Sequence, residues 1–200
     1  MFANLRADLE QARKINVGTS WVNQYLTILV QPTTIAVVVY RFGRSVRRCP
    51  VPIVSQVLLL LGAIVRFIAE ILTGVVISPG ADIGPGLVVH TPFGVFVGPT
   101  KIGKNCIVQH GVVIAYGVRS VGDDVFFGPG AKVMSNVNIG SNVLVAPNSL
   151  VITDVPDNTT VVGVPARIRL PRGTTLKLRS RAERGNGFES KVPTNLLTKS

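Results

Sequence analysis

The sequence predicts a mainly β protein: a parallel β-helix preceded by an α-helical region. Three observations predict it: a six-residue apolar period that starts at Ile77, turn-forming residues between the apolar positions, and helical spacing of apolar residues before residue 74. The chain has 200 residues, 46% hydrophobic and 16% charged, which suits one folded domain and excludes disorder for most of its length. We expect an α-helical region at 1–73, a β-helix at 74–170 and a basic, flexible tail at 171–200.

The six-residue period is the main signal for the fold. Two apolar columns, one opening each hexad and one four residues later, hold 24 apolar residues in 26 places, whereas the overall composition predicts about 12. Glycine, asparagine and proline between the columns supply tight corners. Short strands joined by three corners per turn wind a triangular prism with an aliphatic interior. A β-sandwich would instead show turn signals about every 8–12 residues.

The region before the prism reads as buried helices. Residues 15–40 carry no charge, but polar residues dilute them, and the apolar stretch that follows Pro50 and Pro52 ends at Arg66. Spanning a bilayer takes about 20 consecutive, predominantly apolar residues. We therefore expect no membrane span. A peripheral contact with anionic headgroups remains open, made by four arginines beside an apolar helix: Arg41, Arg44, Arg47 and Arg48.

The charge of the chain is concentrated at its ends. The formal net charge of +11 divides into +5 for residues 1–73, −1 for 74–166 and +7 for 167–200. No nucleic-acid-reading motif accompanies this charge, so we expect no nucleic-acid partner. Two cysteines, Cys49 and Cys106, make no disulfide framework, and no secretory signal opens the chain, so the cytoplasm is the expected compartment. Cys106 falls in the inward column, where we expect it to be buried and chemically silent.

Three segments of the repeat region resemble the hexapeptide-repeat acyltransferases, with an order and spacing similar to serine acetyltransferases and related O-acetyltransferases. They are Ile77–Leu87, Gly128–Val133 and Gly163–Arg167. A helical lead-in containing Val39–Gly43 and Leu72–Gly74 is similar to that of the same family, so the resemblance covers roughly residues 32–170. It implies a left-handed prism, a homotrimer and acetyl-coenzyme A as acyl donor, without a metal.

The candidate catalytic residues are two histidines. Acetyl transfer to a hydroxyl benefits from a base with a pKa near 7, which histidine supplies, and the chain contains only His90 and His110. Both fall at outward places of their hexads. Because Val89 and Val108 are about one turn apart, the two histidines should lie on one edge of the prism. The resemblance implies that the base is His90 if the following corner contains an extra residue, and His110 if it does not.

The resemblance also implies positions for both substrates. Donor-binding candidates are Ala131, Lys132, Ala146 and Arg167, and acceptor-binding candidates are Thr91, Gln109, Tyr116 and Arg119. The serine enzymes of the family carry an Asp-Arg-His loop, and the short segment 115–120 stands in its place here. A buried zwitterion needs charged partners, so we expect a larger hydroxyl acceptor such as a saccharide or glycoconjugate. Two alternatives stay open: a serine O-acetyltransferase of cysteine biosynthesis and a non-catalytic β-helix scaffold.

Overall fold

A computed structural model describes residues 2–15, 31–46 and 52–169. Within these ranges, three helices precede the strands: α1 (Phe2–Ile15), α2 (Pro32–Val46) and α3 (Pro52–Thr73). The strands are β1 (Val75–Ile77), β2 (Asp82–Ile83), β3 (Val88–Val89), β4 (Val95–Val97), β5 (Lys101–Ile102), β6 (Ile107–Val108), β7 (Val113–Ile114), β8 (Ser120–Val121), β9 (Phe126–Phe127), β10 (Lys132–Val133), β11 (Asn138–Ile139), β12 (Leu144–Val145), β13 (Leu150–Val151), β14 (Thr160–Val162) and β15 (Arg167–Arg169). The expected tail at 171–200 lies outside the described residues.

The strands form the three faces of a parallel solenoid of about five turns. Their spatial orders are β1-β4-β7-β10-β13, β2-β5-β8-β11 and β3-β6-β9-β12-β14-β15. Each strand up to β10 therefore lies beside the strand that comes three later in the chain, as three corners per turn require, and β12 lies beside β14. The pairing is parallel throughout, except that β15 turns back antiparallel to β14. This arrangement, with the helices ahead of it, confirms the fold class predicted from the six-residue period.

The interior of the prism is aliphatic, as the apolar columns predicted. Phe127 is the largest of the fully buried side chains, and Val108, Val133 and Val145 are fully buried around it. Cys106 lies in the inward column at 0% exposure, and burial raises the pKa of its thiol to about 11. The one serine of that column, Ser149, is also buried, and its hydroxyl accepts a hydrogen bond from the Gly163 amide. That bond offsets the cost of a polar atom in the core.

One edge of the prism is built from residues in the left-handed backbone region. Asn105, Asp124, Asn142 and Asn158 have φ of 54–57°, which short polar side chains tolerate better than bulky ones. Their side chains join successive turns, with Asn105 donating to Asp124 at 3.1 Å and Asn142 donating to Asn158 at 2.9 Å. Asparagine and aspartate therefore recur in the sequence because each turn needs a residue with positive φ at this edge.

A buried ion pair attaches the helices to the prism. Asp8 of α1 and Arg41 of α2 meet at 2.9 Å with side chains only 5% and 3% exposed. The Asp8 carboxylate accepts from the amides of Gly86 and Leu87 at 2.7 and 2.9 Å. Arg41 in turn donates to two prism carbonyls. α1 and α2 are thus both tied to the corner that precedes β3.

The expectation that Arg41 faces a membrane is therefore wrong, because its guanidinium is buried and its donors are used within the protein. Arg44 is held too: it pairs with Asp82 and donates to the Ala81 carbonyl at 2.6 Å. Arg47 and Arg48 lie outside the described residues. In the part of the chain that the structure describes, no helix combines the length and hydropathy needed to cross a membrane.

Candidate active site

The histidines lie where two adjacent parallel strands end. β3 and β6 pair in register, with Val89 opposite Val108, so His90 and Gln109 leave the sheet at the same level on successive turns. The His90 amide continues the ladder by donating to the Val108 carbonyl at 2.9 Å. Both imidazoles are exposed. We name this part of the prism, residues 90–94, 109–111, 128–130 and 146–148, the histidine edge.

The corner that carries His90 is longer than the one on the next turn. The flanking strands stay paired, Val89 with Val108 and Phe96 with Val113. The corner after β3 therefore contains five residues, 90–94, whereas the corresponding corner after β6 contains three, 109–111. The chain closes this wider corner with positive φ at Phe93 (70°) and Gly94 (73°). The corner that carries His90 is therefore two residues longer than the corner of the next turn.

Thr91 holds the His110 ring in one orientation. The Thr91 Oγ1 accepts from the His110 amide at 2.9 Å and lies 3.0 Å from its Nδ1. It also donates to Gln109 Oε1 at 3.3 Å. A hydroxyl has one proton, so the contact in which Thr91 donates to Gln109 favours Nδ1 of a neutral His110 ring as the donor to Thr91. In that tautomer Nε2 is the proton acceptor.

The His90 ring is placed differently. It is exposed at the end of β3 and makes no hydrogen bond to another described residue. Both ring nitrogens are therefore available to a bound ligand. The edge thus presents one oriented imidazole and one unengaged imidazole on neighbouring turns, together with the polar side chains of Thr91 and Gln109.

The expected donor-side residues follow the histidine edge toward the last turn. Successive registers stack His90, Gln109, Gly128 and Ala146 in one column. The half-buried Ala146 uses its amide to donate to the Val161 carbonyl at 2.9 Å. Gly128 has no room for a side chain, because a Cβ there would lie 2.7 Å from the Pro147 nitrogen. The lower edge therefore presents backbone rather than bulky side chains.

Two exposed cations flank this column. Lys132 follows the edge on the outer face of β10, and Arg167 of β15 is opposite Val162, which continues the strand register below Ala146. Ala131 is different, because it is fully buried, its amide donates to Gly128 and its carbonyl accepts from Val113. Ala131 therefore shapes the edge from inside and offers no side chain to a ligand.

The remaining acceptor candidates lie at another edge. Tyr116 and Arg119 follow β7 rather than β6, so one strand separates them from His110. The Tyr116 ring packs against Phe96 with 5.4 Å between ring centroids. Arg119 lies 3.8 Å from Asp154, whose carboxyl pKa is lowered mainly by the Asn138 amide. Within one protomer, the structure does not bring these two side chains to Thr91 and Gln109.

Phe93 is a site residue that sequence reasoning missed. Its side chain is 63% exposed on the wide corner beside His90, in a backbone conformation that is unusual for a bulky residue. Its amide donates to the Thr73 carbonyl at 2.8 Å, and Gly74 below it cannot carry a side chain, because a Cβ would lie 2.8 Å from the Phe93 Cα. The spacing of six residues from Val89 to Val95 is the ordinary period, so the repeat placed Phe93 in the inward column, and that placement is wrong because the corner is wider than the period indicates.

No group of three or more histidine, cysteine, aspartate or glutamate side chains that could hold a metal occurs among residues 2–15, 31–46 and 52–169. The histidine edge is therefore described by its imidazoles, its hydroxyl and amide neighbours, and the cations beside it.

A parallel prism of hexads with an exposed histidine edge defines the class of this protein, and comparison with known proteins agrees. The family described as bacterial transferase hexapeptide (six repeats) matches residues 120–153. The chain resembles the hexapeptide-repeat acyltransferases, and among them it is similar to serine acetyltransferases. The protein of that name from Synechococcus elongatus is 33% identical over 149 residues, which cover 70% of this chain and 58% of the relative.

Other relatives carry the same name. The serine acetyltransferase of Staphylococcus xylosus is 37% identical over 116 residues, 54% of each chain. Among solved structures, Neisseria gonorrhoeae serine acetyltransferase in complex with serine is 28% identical, with a TM-score of 0.69 over 83% of this chain and 68% of that one. Soybean serine acetyltransferase is also 28% identical, with a TM-score of 0.70 over 84% of this chain and 68% of that one. The chain spans a little over half the length of these two curated relatives.

Proposed function

We propose that this protein is an acetyl-coenzyme A dependent O-acetyltransferase whose acceptor is L-serine. The observation that carries the proposal is the pair of exposed imidazoles on neighbouring turns of one prism edge, in a chain similar to serine acetyltransferases. A scaffold has no need for an unpartnered imidazole beside an oriented one. The pair gives the enzyme proposal a specific site that can be tested.

The reaction needs one group that accepts and then returns a proton. The base takes the proton of the acceptor hydroxyl as its oxygen attacks the thioester carbonyl carbon. The tetrahedral intermediate expels the coenzyme A thiolate, and the imidazolium returns the proton to that sulfur. The products are the O-acetyl ester and the free thiol, and the base ends in its starting state.

His90 is the base in this proposal. Its ring is exposed and makes no hydrogen bond to another described residue, so an acceptor hydroxyl can approach either nitrogen. It also stands at the start of the corner that is two residues longer than the corner of the next turn. Phe93, on the same corner, provides an apolar wall beside the reacting groups.

His110 is the second candidate, and one specific observation favours it. The hydrogen bonds through Thr91 to Gln109 favour the His110 tautomer in which Nε2 can accept a proton, as a base requires. If His110 is the base, Thr91 is the positioning residue that sets its tautomer. If His90 is the base, the oriented His110 forms a fixed wall on the next turn.

The donor is proposed to lie along the lower histidine edge. Coenzyme A carries phosphates that need cations or backbone donors, and Lys132 and Arg167 are exposed beside the column that ends at Ala146. Glycine at positions 128 and 130 lets Pro147 and Asn148 of the next turn pack closely along this edge. In this proposal Ala131 and Ala146 shape the binding surface for coenzyme A. Lys132 and Arg167 supply positive charge for its phosphates.

L-Serine is proposed as the acceptor because the relatives are named serine acetyltransferases, and two neighbouring structures hold serine. The preference for a larger hydroxyl compound rested on the short segment 115–120, and the comparisons do not support it. Arg119 lies in that segment and is exposed, with Asp154 at 3.8 Å. An exposed ion pair of this kind is weak, so Arg119 can exchange its partner for a serine carboxylate.

A homotrimer is part of this proposal. Tyr116 and Arg119 lie one strand away from the histidine edge of their own protomer, so they can serve the acceptor only if they meet the histidine edge of a neighbouring protomer. A trimer of prisms places different edges of neighbouring protomers side by side. Native mass spectrometry is expected to give three copies. A stable monomer that retains full activity contradicts this part of the proposal.

The base assignment is tested with His90→Ala and His110→Ala, assayed for thiol release from acetyl-coenzyme A in the presence of L-serine. Removal of a general base typically lowers the rate by about 10² to 10⁴. We expect that loss in kcat for His90→Ala and a smaller loss for His110→Ala. Lys101→Ala, an exposed change on a different face, is the matched control. Activity within about threefold of the parent in both histidine variants contradicts the assignment.

Donor binding is tested separately by thermal unfolding with coenzyme A. A ligand present at about 100 times its Kd stabilises the folded state by about 2.7 kcal/mol. The parent is expected to be stabilised, and Lys132→Ala and Arg167→Ala are expected to need higher coenzyme A concentrations for the same shift. An unchanged unfolding temperature at millimolar coenzyme A would favour the scaffold alternative.

A further inference from the structure

The outward face of α3 is apolar along most of the helix. Between residues 60 and 72, eight large apolar side chains are 50–68% exposed. They are Leu60, Leu61, Ile64, Val65, Phe67, Ile68, Ile71 and Leu72. At 3.6 residues per turn they span an arc of about 160°. A continuous patch of this kind on a folded protein marks an interaction surface. We name it the α3 face.

The opposite side of α3 carries its small and charged residues. Ala69 is buried, and Arg66 and Glu70 line the cleft between α3 and α2, where their side chains pair at 3.4 Å. Helices on a protein surface usually place charges toward water and large aliphatic side chains toward the core. α3 has the reverse arrangement, since its charges turn toward α2 and its largest apolar side chains turn outward.

The composition of the α3 face indicates the chemistry of what covers it. Protein interfaces combine an apolar centre with a polar rim and typically make about ten hydrogen bonds. Across the α3 face, none of the eight side chains can donate or accept a hydrogen bond. A hydrocarbon layer makes no such demand, so it suits a helix face with no polar groups.

Charge complementarity points in the same direction. The helical region, residues 1–73, carries a net +5 and the whole chain +11. Arg47 and Arg48 come shortly before α3 in the sequence. Basic residues near an apolar helix add electrostatic attraction to anionic headgroups. Two of the four arginines first considered, Arg41 and Arg44, are engaged within the protein, so the apolar face rather than that cluster has to make the main contact.

We propose that the α3 face docks the protein on an anionic lipid bilayer, with α3 lying flat in the interface and its charged side turned toward α2. α3 ends at Thr73, whose carbonyl receives the Phe93 amide of the histidine edge at 2.8 Å. Docking therefore places the start of the histidine edge next to the lipid surface. This inference rests on the α3 face alone and holds whether or not the proposed acetyl transfer does.

The test is flotation of the full-length protein with vesicles of phosphatidylcholine containing phosphatidylglycerol. The triple variant Ile64→Gln, Phe67→Gln, Ile71→Gln removes apolar surface and keeps every charge. Burial of each such side chain is worth one to two factors of ten in partitioning, about 100-fold or more for three. Ile152→Gln, an equally exposed aliphatic residue on the prism, is the matched control, and circular dichroism verifies that each variant is folded.

We expect the parent and Ile152→Gln to float with the anionic vesicles, more weakly at high salt, and the triple variant to lose partitioning by at least about 100-fold. Failure of the folded parent to bind overturns the proposal, as does equal binding by the triple variant. A third outcome also overturns it: no vesicle binding by the parent, together with a smaller assembly for the triple variant in light scattering, which would show that a second copy covers the α3 face.

Discussion

Replacing Asp8 by alanine is expected to reduce the free energy of unfolding by about 3–5 kcal/mol, the usual cost of removing one partner of a buried ion pair. The Asp8 and Arg41 side chains are 5% and 3% exposed, so water does not compensate for the loss. The carboxylate accepts from Arg41 Nε at 2.9 Å and from Arg41 Nη2 at 3.1 Å. Its loss leaves the guanidinium buried without a counter-charge.

Two further hydrogen bonds raise the cost. Asp8 Oδ1 accepts the amides of Gly86 and Leu87 at 2.7 and 2.9 Å, and each amide left unpaired in a buried place costs about 1–3 kcal/mol. The contributions overlap, because the corner can relax, so the total stays within the range for a buried pair. Arg41→Met is expected to cost at least about 1 kcal/mol less in the Asp8→Ala background than in the parent, since its partner is already gone.

The assay is urea unfolding followed by circular dichroism, at one fixed protein concentration because association shifts apparent stability. Amide hydrogen exchange at Gly86 and Leu87 reports the same junction locally, and both amides are expected to exchange faster in Asp8→Ala. Glu10→Ala, which removes an exposed partner of Arg6 on the same helix, is the matched control and is expected to change stability by less than about 1 kcal/mol. A loss below about 1 kcal/mol in Asp8→Ala would refute the reasoning.

Three other predictions follow from burial and backbone geometry. Gly74→Ala, with φ of +61° and a Cβ 2.8 Å from the Phe93 Cα, is expected to cost about 1–3 kcal/mol in thermal unfolding, whereas Gly43→Ala in open space costs nothing. Phe127→Ala, at a fully buried position, is expected to cost about 3–5 kcal/mol in the same assay. Cys106, with its pKa raised to about 11, is expected to react with a thiol reagent at pH 8 at least about 100-fold slower in the folded than in the unfolded Cys49→Ser protein.

Each of the three has an outcome that contradicts it. Equal unfolding temperatures for Gly74→Ala and Gly43→Ala would show that the corner at Phe93 yields without strain. A loss below about 1 kcal/mol for Phe127→Ala would show that the prism interior collapses around the missing ring. Rapid modification of Cys106 in the folded state would show that the inward column opens to solvent.

The prism interior could be predicted from the sequence because its physical cause is periodic. Residues such as Val108 and Phe127 open hexads on successive turns, and the chain returns to the inside of the prism about every six residues. The histidine edge could be predicted by the same counting, since Val89 and Val108 are in register and each is followed by outward-facing residues. Both predictions required only the number of residues between positions in a regular repeat.

The interactions of the arginines could not be predicted in this way. Arg41 meets Asp8 across 33 residues and the Ile83 carbonyl across 42, and no repeat relates these positions. From the sequence, four arginines close together looked like an exposed basic patch. The fold instead gives Arg41 a buried carboxylate and two carbonyls, so its charge is used to join the helices to the prism.

The acceptor candidates show a second limit. Tyr116 and Arg119 are close to His110 in the sequence, and the longer loop of the family occupies the same place. They are only six and nine residues from His110, but strand β7 lies between, so they are on a different edge of the prism. Phe93 shows the opposite case, because an irregularity in the repeat brought a bulky side chain to the histidine edge.

Thiol release from acetyl-coenzyme A by the purified protein, measured as a function of L-serine concentration, tests the proposed function most directly. The account predicts saturable, serine-dependent release with kcat/KM of about 10⁴ M⁻¹s⁻¹ or more, lost in His90→Ala and retained in Lys101→Ala. Release that does not depend on serine, in a folded protein that binds coenzyme A, would contradict serine as the acceptor. If a saccharide then restored saturable release, the larger hydroxyl acceptor first expected from the short segment 115–120 would replace it.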